Sequence, residues 1–77
     1  MRLDYDREAN AIYVYLRDLP YAYNKVLDER RIIDYAEDQH PIGIELLNVS
    51  HGVDVRDLPE QAAIERLLEE HHIKVLT

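Results

Sequence analysis

The stretch that most constrains this chain is Pro41-Ile42-Gly43-Ile44-Glu45-Leu46-Leu47-Asn48-Val49. It is short, β-branched and aliphatic, with turn-forming Glu37-Asp38-Gln39-His40 before it and Ser50-His51-Gly52 after it. Such a run reads as a buried strand, because a helix of that apolar density would be longer and bounded differently. Alternation sends Ile42, Ile44 and Leu46 to one face and Glu45, Leu47 and Val49 to the other. A strand apolar on most of both faces needs neighbours at its edges and a cover on at least one side. It is expected at the centre of a small sheet.

The segments around it supply the neighbours. Arg2-Leu3-Asp4-Tyr5 alternates, with Leu3 and Tyr5 on one side, as a short first strand. Asp6-Arg7-Glu8-Ala9-Asn10 is a polar loop whose Asp and Asn side chains can bond their own backbone. Residues 11–16 form a second strand, with Ile12, Val14 and Leu16 on one face and Tyr13 and Tyr15 on the other. Its bulk on both faces places it inside the sheet too. Asp18-Leu19-Pro20 breaks the pattern, since proline cannot donate to a ladder. Residues 21–24 read equally as loop or edge strand, residues 25–28 as strand, and Glu29-Arg30 as a turn or bulge. Residues 31–36 are strand again, with Ile33 and Tyr35 opposed to Ile32 and Asp34. A hairpin closing at Asp38-Gln39 sets Ile33 opposite Ile44, Tyr35 opposite Ile42 and Ile32 against Glu45. Gln39 suits the positive φ of a tight hairpin poorly, which leaves a longer loop open.

After Gly52 the period changes. Asp57 is placed to cap a helix, with Pro59 in its first turn and Glu60 at the capping-box position. Ile64, Leu67, Leu68 and His71 recur at helical spacing as an apolar stripe, widened by Ala62 and Ala63. Glu65, Arg66, Glu69 and Glu70 form the wet side. Residues 73–76 alternate as a short last strand, which either joins the same sheet by a right-handed crossover or reaches a second copy. The fold class is α+β: an antiparallel β-meander of four to five strands, one C-terminal helix packed on one face, and a short final strand. Residues 1–77 make one domain, with sheet over 1–50 and helix and C-terminal strand over 51–77.

Composition narrows the function. A chain of 77 residues has room for one modest core, and self-pairing would help its stability. The sequence contains no cysteine, so it has neither disulfides nor thiolate chemistry. Its apolar runs are far shorter than a membrane helix, and no charged-then-apolar segment opens it, so a cytoplasmic location is expected. Sixteen acidic residues against nine basic ones give a net charge of −7. With the basic residues scattered, direct nucleic-acid binding is not expected. An acidic surface suits solubility or a basic protein partner.

Tyr5-Asp6-x-Glu8-Ala9-x-Ala11-Ile12-Tyr13-Val14-x-Leu16, then Ile33-Asp34-Tyr35, then Gly43-Ile44-Glu45-Leu46-Leu47-Asn48 resemble the small bacterial domain-of-unknown-function 2283 family over roughly residues 3–50. The order and spacing are specific, although the motifs are strand patterns rather than chemistry. Arg7 stands where the family has proline, Asn10 where it has aspartate, and Gln39 where it has the turn glycine. The resemblance implies a bacterial or archaeal source and a β-rich domain. Members sit beside genes for small toxin-like proteins, which implies an antitoxin-type role. It carries over no catalytic residue.

The chemistry-bearing residues weigh lightly. Asp4-x-Asp6-x-Glu8 fails as a calcium loop, because Ala9 and Tyr15 stand where glycine and glutamate are required. His71 and His72 are adjacent and point apart, and His40 and His51 lie in loops, so no zinc spacing is present. His71 reads instead as a stripe-edge residue near the helix end, where its cationic form is favoured. Asp34 and Glu45 on one face could act as acid and base, yet no nucleophile, glycine-rich loop or positioned donor accompanies them. Pairing of Glu45 with Arg17, Arg30 or Arg31, or its exposure to water, is the simpler reading.

The six tyrosines, with no Phe or Trp, are the stronger signal. Tyr13, Tyr15, Tyr21 and Tyr23 are expected to cluster on the face away from the helix, where tyrosine suits an interface centre. Ile73 and Val75 on the last strand are the other interface candidates. The expected function is a non-enzymatic protein-binding module, self-associating as a homodimer and antitoxin-like towards a small basic protein partner. It has no cofactor, metal or catalytic residues and no membrane contact. A small enzyme or metal binder using Glu45, Asp34 or the histidines is the alternative. A nucleic-acid binder acting only within a complex is a third class.

Overall fold

The computed structural model describes residues 1–76; Thr77, at the end of the segment expected over 51–77, lies outside the described residues. Strands β1 (Arg2–Asp6), β2 (Ala11–Tyr15), β3 (Tyr23–Asp28), β4 (Arg31–Tyr35) and β5 (Pro41–Leu47) come first. A single 3-10 turn (Val49–His51), β6 (Val53–Asp54), helix α1 (Gln61–Glu70) and β7 (Val75–Leu76) follow. The first five strands form one antiparallel sheet in the order β1-β2-β5-β4-β3, with residues 41–47 at its centre as the sequence requires. β3 to β5 run as a meander. The β1–β2 hairpin docks on the far side of β5, so the connection from β2 to β3 passes the ends of β5 and β4.

The register follows the hydrophobic pattern. Val14, Ile44 and Ile33 line up across three strands, as do Tyr13, Glu45 and Ile32 on the opposite face. A bulge after Asp34 sets Tyr35 against Pro41 rather than Ile42. Pro41 has no N–H for a regular ladder, and the extra residue absorbs the mismatch. The β4–β5 loop spans residues 36–40, with Gln39 at φ 73° donating its N–H to the Ala36 carbonyl at 3.0 Å. The longer loop is therefore the one used.

Ile12, Val14, Ile33, Ile44 and Leu46 form the covered face, and α1 seals it with the fully buried Ile64 and Leu68. Each such side chain adds about 2 kcal/mol by leaving water. Val49 joins this core instead of lying opposite on the strand. Asn48 adopts left-handed backbone (φ 56°) and turns the chain through the 3-10 turn, which ends the alternation at Leu47. The stripe on α1 is narrower than expected: Ala62, Ala63 and His71 are exposed, while Leu58 and Ile73 close the two ends of the core.

The helix starts later than its capping residues indicate. Asp57 (φ 64°) and Glu60 (φ 54°) are both left-handed, and no side chain caps the first turn, which begins at Gln61. At the other end His72 (φ 60°) makes a Schellman closure: its N–H bonds the Glu69 carbonyl at 3.0 Å, and the Ile73 N–H bonds Leu68 at 2.9 Å. That turn brings Ile73 back onto Leu68. The last strand does not join the main sheet. β7 pairs in parallel with β6, Val53 against Val75 and Asp54 against Leu76, as a separate two-stranded sheet. β6, hidden within an apparent loop, was the missing partner.

Candidate functional site

The face that α1 leaves uncovered is built from alternate residues of the five-stranded sheet. One row across the strands is Asp4, Tyr13, Glu45, Ile32 and Val26; the next is Arg2, Tyr15, Gly43, Asp34 and Asn24. Period two and the β2–β5–β4 register put them there, and each tyrosine is half-buried. The Tyr13 ring leans across β5, and its hydroxyl donates to Asp34 at 2.8 Å. The path is open only because residue 43 is glycine: a Cβ there would overlap the phenol, with the ring's Cε2 at 2.7 Å. Burial, then the Asp34 bond and its negative charge, push the Tyr13 hydroxyl above the usual phenol range.

Tyr15 meets Tyr13 edge-on, with centroids 4.7 Å apart, and donates its hydroxyl to Asp4 at 2.9 Å. The Arg2 guanidinium lies 3.8 Å above the Tyr15 ring and 3.4 Å from Asp4. Ala11 is the small residue of the next row, between Asp6 and Leu47. With Tyr13 tilted away, a hollow of about 220 Å³ opens beside it, bordered by Asp4, Asp6, Tyr13 and Glu45. Strand positions on this face thus carry Asp4, Asp6, Asp34 and Glu45 against the single cation Arg2.

The other interface candidates are dispersed. Tyr23 sits on the covered side, stacked on Tyr35 with centroids 5.1 Å apart, and Tyr21 lies in the loop before β3, 58% exposed. Both tyrosines follow the Pro20 break, so period alone did not reveal that β3 starts at Tyr23 and turns it to the covered side. Ile73 belongs to the core and Val75 is half-buried beside Val53.

Asp34 and Glu45 do share the open face, one step apart along the sheet, but Asp34 is committed to Tyr13. Arg31, considered as a partner for Glu45, points the opposite way. The residue is 9% exposed, and its guanidinium bonds Asp28 at 2.9 Å and the backbone carbonyls of Asp54 at 3.1 Å and Arg56 at 2.6 Å. This clamp ties β4 to β6. Arg56 in turn grips Asp54 with its side chain and backbone N–H, which holds the Asp54 carboxyl far below the usual range; Arg31 adds to it. A cleft of about 300 Å³ lies at this seam; Asp28, Arg31 and Asp54 in its lining belong to the clamp, and Glu29 and Arg30 complete its polar edge. The histidines stay apart: Nδ1 of His40 contacts Asp38 at 2.8 Å and Nδ1 of His71 the Leu67 carbonyl at 2.9 Å. Among the described residues no group of three or more His, Cys, Asp or Glu is placed to hold a metal.

Sequence reasoning missed Asn10. Left-handed at φ 55°, it bonds Asn48 Oδ1 at 3.1 Å and Ser50 Oγ at 2.9 Å and accepts the Ser50 N–H at 2.9 Å. It moors the β1–β2 loop to the end of β5, beside the hollow. Asparagine in a polar loop was the available signal, since it tolerates left-handed backbone.

These features define a small α+β protein with an acidic, tyrosine-bearing open sheet face. The family model described as "Protein of unknown function (DUF2283)" matches residues 2–50, and the chain belongs to that family. The matched part is the five-stranded sheet with its Asn10–Ser50 mooring; the α1 cover lies beyond it. Neither a curated protein nor a solved structure matches the chain. Among the described residues no helix is long and apolar enough to cross a membrane.

Proposed function

We propose that the chain is a non-enzymatic protein-binding module whose open sheet face receives a basic segment of a partner protein. The observation that carries this reading is the pairing of exposed tyrosine surface with an excess of carboxylates around the Ala11 hollow. Tyrosine supplies contact area at low entropic cost, while the carboxylates select and steer a cationic partner. A lysine or arginine side chain entering the hollow would meet Glu45 and Asp4 at its head and the Tyr13 ring along its stem. The antitoxin-like form of this function is neutralisation of a small basic protein. Two copies of this face repel each other, which moves self-association elsewhere on the chain.

The test uses a lysine- and arginine-rich peptide titrated into the labelled protein and followed by amide chemical shifts. Perturbations centred on Ala11, Tyr13 and Glu45 are expected, weakening with salt. Glu45→Lys should abolish them, while Glu69→Lys, the same charge change on the exposed side of α1, should leave them nearly intact. Equal loss in both variants would reduce the effect to net charge and end the proposal. Co-expression of a protein encoded beside this one, with the same two variants, tests the antitoxin-like form.

A further inference from the structure

The hinge before α1 is held in a conformation its own sequence disfavours. Asp57, Pro59 and Glu60 are spaced to begin a helix, with Asp57 as cap and Glu60 reaching back to it. In the folded chain neither does so: both sit in left-handed backbone, where a Cβ is penalised, and the helix starts only at Gln61. On the upstream side the chain is fixed as far as Arg56, because Arg31 holds the carbonyls of Asp54 and Arg56. Downstream, α1 and β7 form one continuous piece through the His72 closure. The strain is therefore confined to residues 57–60, between two rigid parts.

From this we infer that α1 and β7 exchange between two copies of the chain. Straightening residues 57–60 lets the helix start at its encoded cap and releases both left-handed residues. The extended helix then points away from its own sheet. Its Ile64, Leu68 and Ile73 cover the Ile12, Val14 and Ile44 face of the second copy, and its β7 pairs with that copy's β6. Apart from those of Leu58, which lies within the hinge, the core contacts of the closed form are remade, so the two states differ at the hinge. Strained short hinges are the recognised route to such exchange. The second copy is the occupant because it alone carries the same covered face.

Absence of native cysteine makes the test direct. Val53→Cys with Val75→Cys places a thiol on each of two directly paired residues, at a spacing suited to a disulfide. The protein is refolded from denaturant at high and low concentration, oxidised, and sized with and without reductant. Refolding at high concentration should give a dimer whose chains are joined by the disulfide under denaturing conditions. Asp57→Gly with Glu60→Gly relieves the closed hinge and removes the latent cap, and should lower the dimer association constant at least about tenfold. A chain that stays monomeric at every concentration overturns the inference. So does a dimer whose disulfides all lie within single chains, or one that the glycine pair leaves unchanged.

Discussion

Tyr13 and Gly43 occupy the same patch of the open face, the phenol lying where the Cβ of any other residue would stand. One sequence choice on β5 thereby sets the direction of a side chain on β2, and with it the hydrogen bond to Asp34.

The pair makes a double-mutant test. Gly43→Ala should displace the phenol and cost about 1 kcal/mol, the worth of one hydrogen bond. Tyr13→Phe should cost a similar amount alone and nothing further in the Gly43→Ala background. Urea denaturation of the four proteins checks this, and simple additivity would sink it. The pH dependence has a fixed sign. The Tyr13 hydroxyl is raised in the folded state by burial and Asp34, so its contribution is complete below the ordinary phenol value of about 10. It is lost as pH rises beyond that value, so the gap between wild type and Tyr13→Phe should shrink there.

Arg31 should prove the residue on which residues 53–76 depend. Arg31→Met leaves two carbonyls without their donor and Asp28 with only the Arg30 N–H, and should cost about 3 kcal/mol. Arg31→Lys should recover little, since one ammonium cannot replace the fork. Hydrogen exchange should show protection falling first in β6, α1 and β7 rather than in β2 and β5. Asp28 is held below its usual range by the Arg30 N–H and by Arg31, and Asp54 by Arg56 and Arg31. Their contribution is therefore present above the ordinary Asp value of about 4 and lost as pH falls below it. Exchange that accelerates uniformly over the chain on acidification would contradict this.

Two left-handed residues offer stabilisation without loss of contacts. Gln39→Gly in the β4–β5 loop and His72→Gly at the end of α1 should each add about 0.5–1 kcal/mol. The two sites share no partner, so the gains should add. A lower melting temperature in either variant would show that the side chain is needed there.

The legible parts of this fold are those governed by simple period. Alternation located β2, β4 and β5, and the Ile33–Ile44 pairing followed because a one-residue slip would have buried Asp34. Places where a single residue turns left-handed were not legible. Asn48 diverts Val49 into the core, and His72 closes the helix where glycine is usual. β6 is too short for any pattern, and without it the partner of Val75 could not be named. On the open face, sequence paired Tyr13 with Tyr15 and Asp34 with Glu45, but joining the two pairs needed the β2–β5 register. The Ala11 hollow needed the tilt of Tyr13, which depends on the strand beside it.

The position of β2 next to β5 also shapes how the chain can assemble. Every other ladder of the main sheet joins segments that follow one another, so each can zip from its own turn. The β2–β5 seam instead closes a loop that contains β3 and β4, and that closure is the largest entropic hurdle in assembling the sheet. The open face straddles that seam, with Tyr13 on one side and Glu45 and Gly43 on the other. Under the proposed function, the open face is complete only once that seam has closed, so a half-folded chain would present nothing for a basic partner segment to hold.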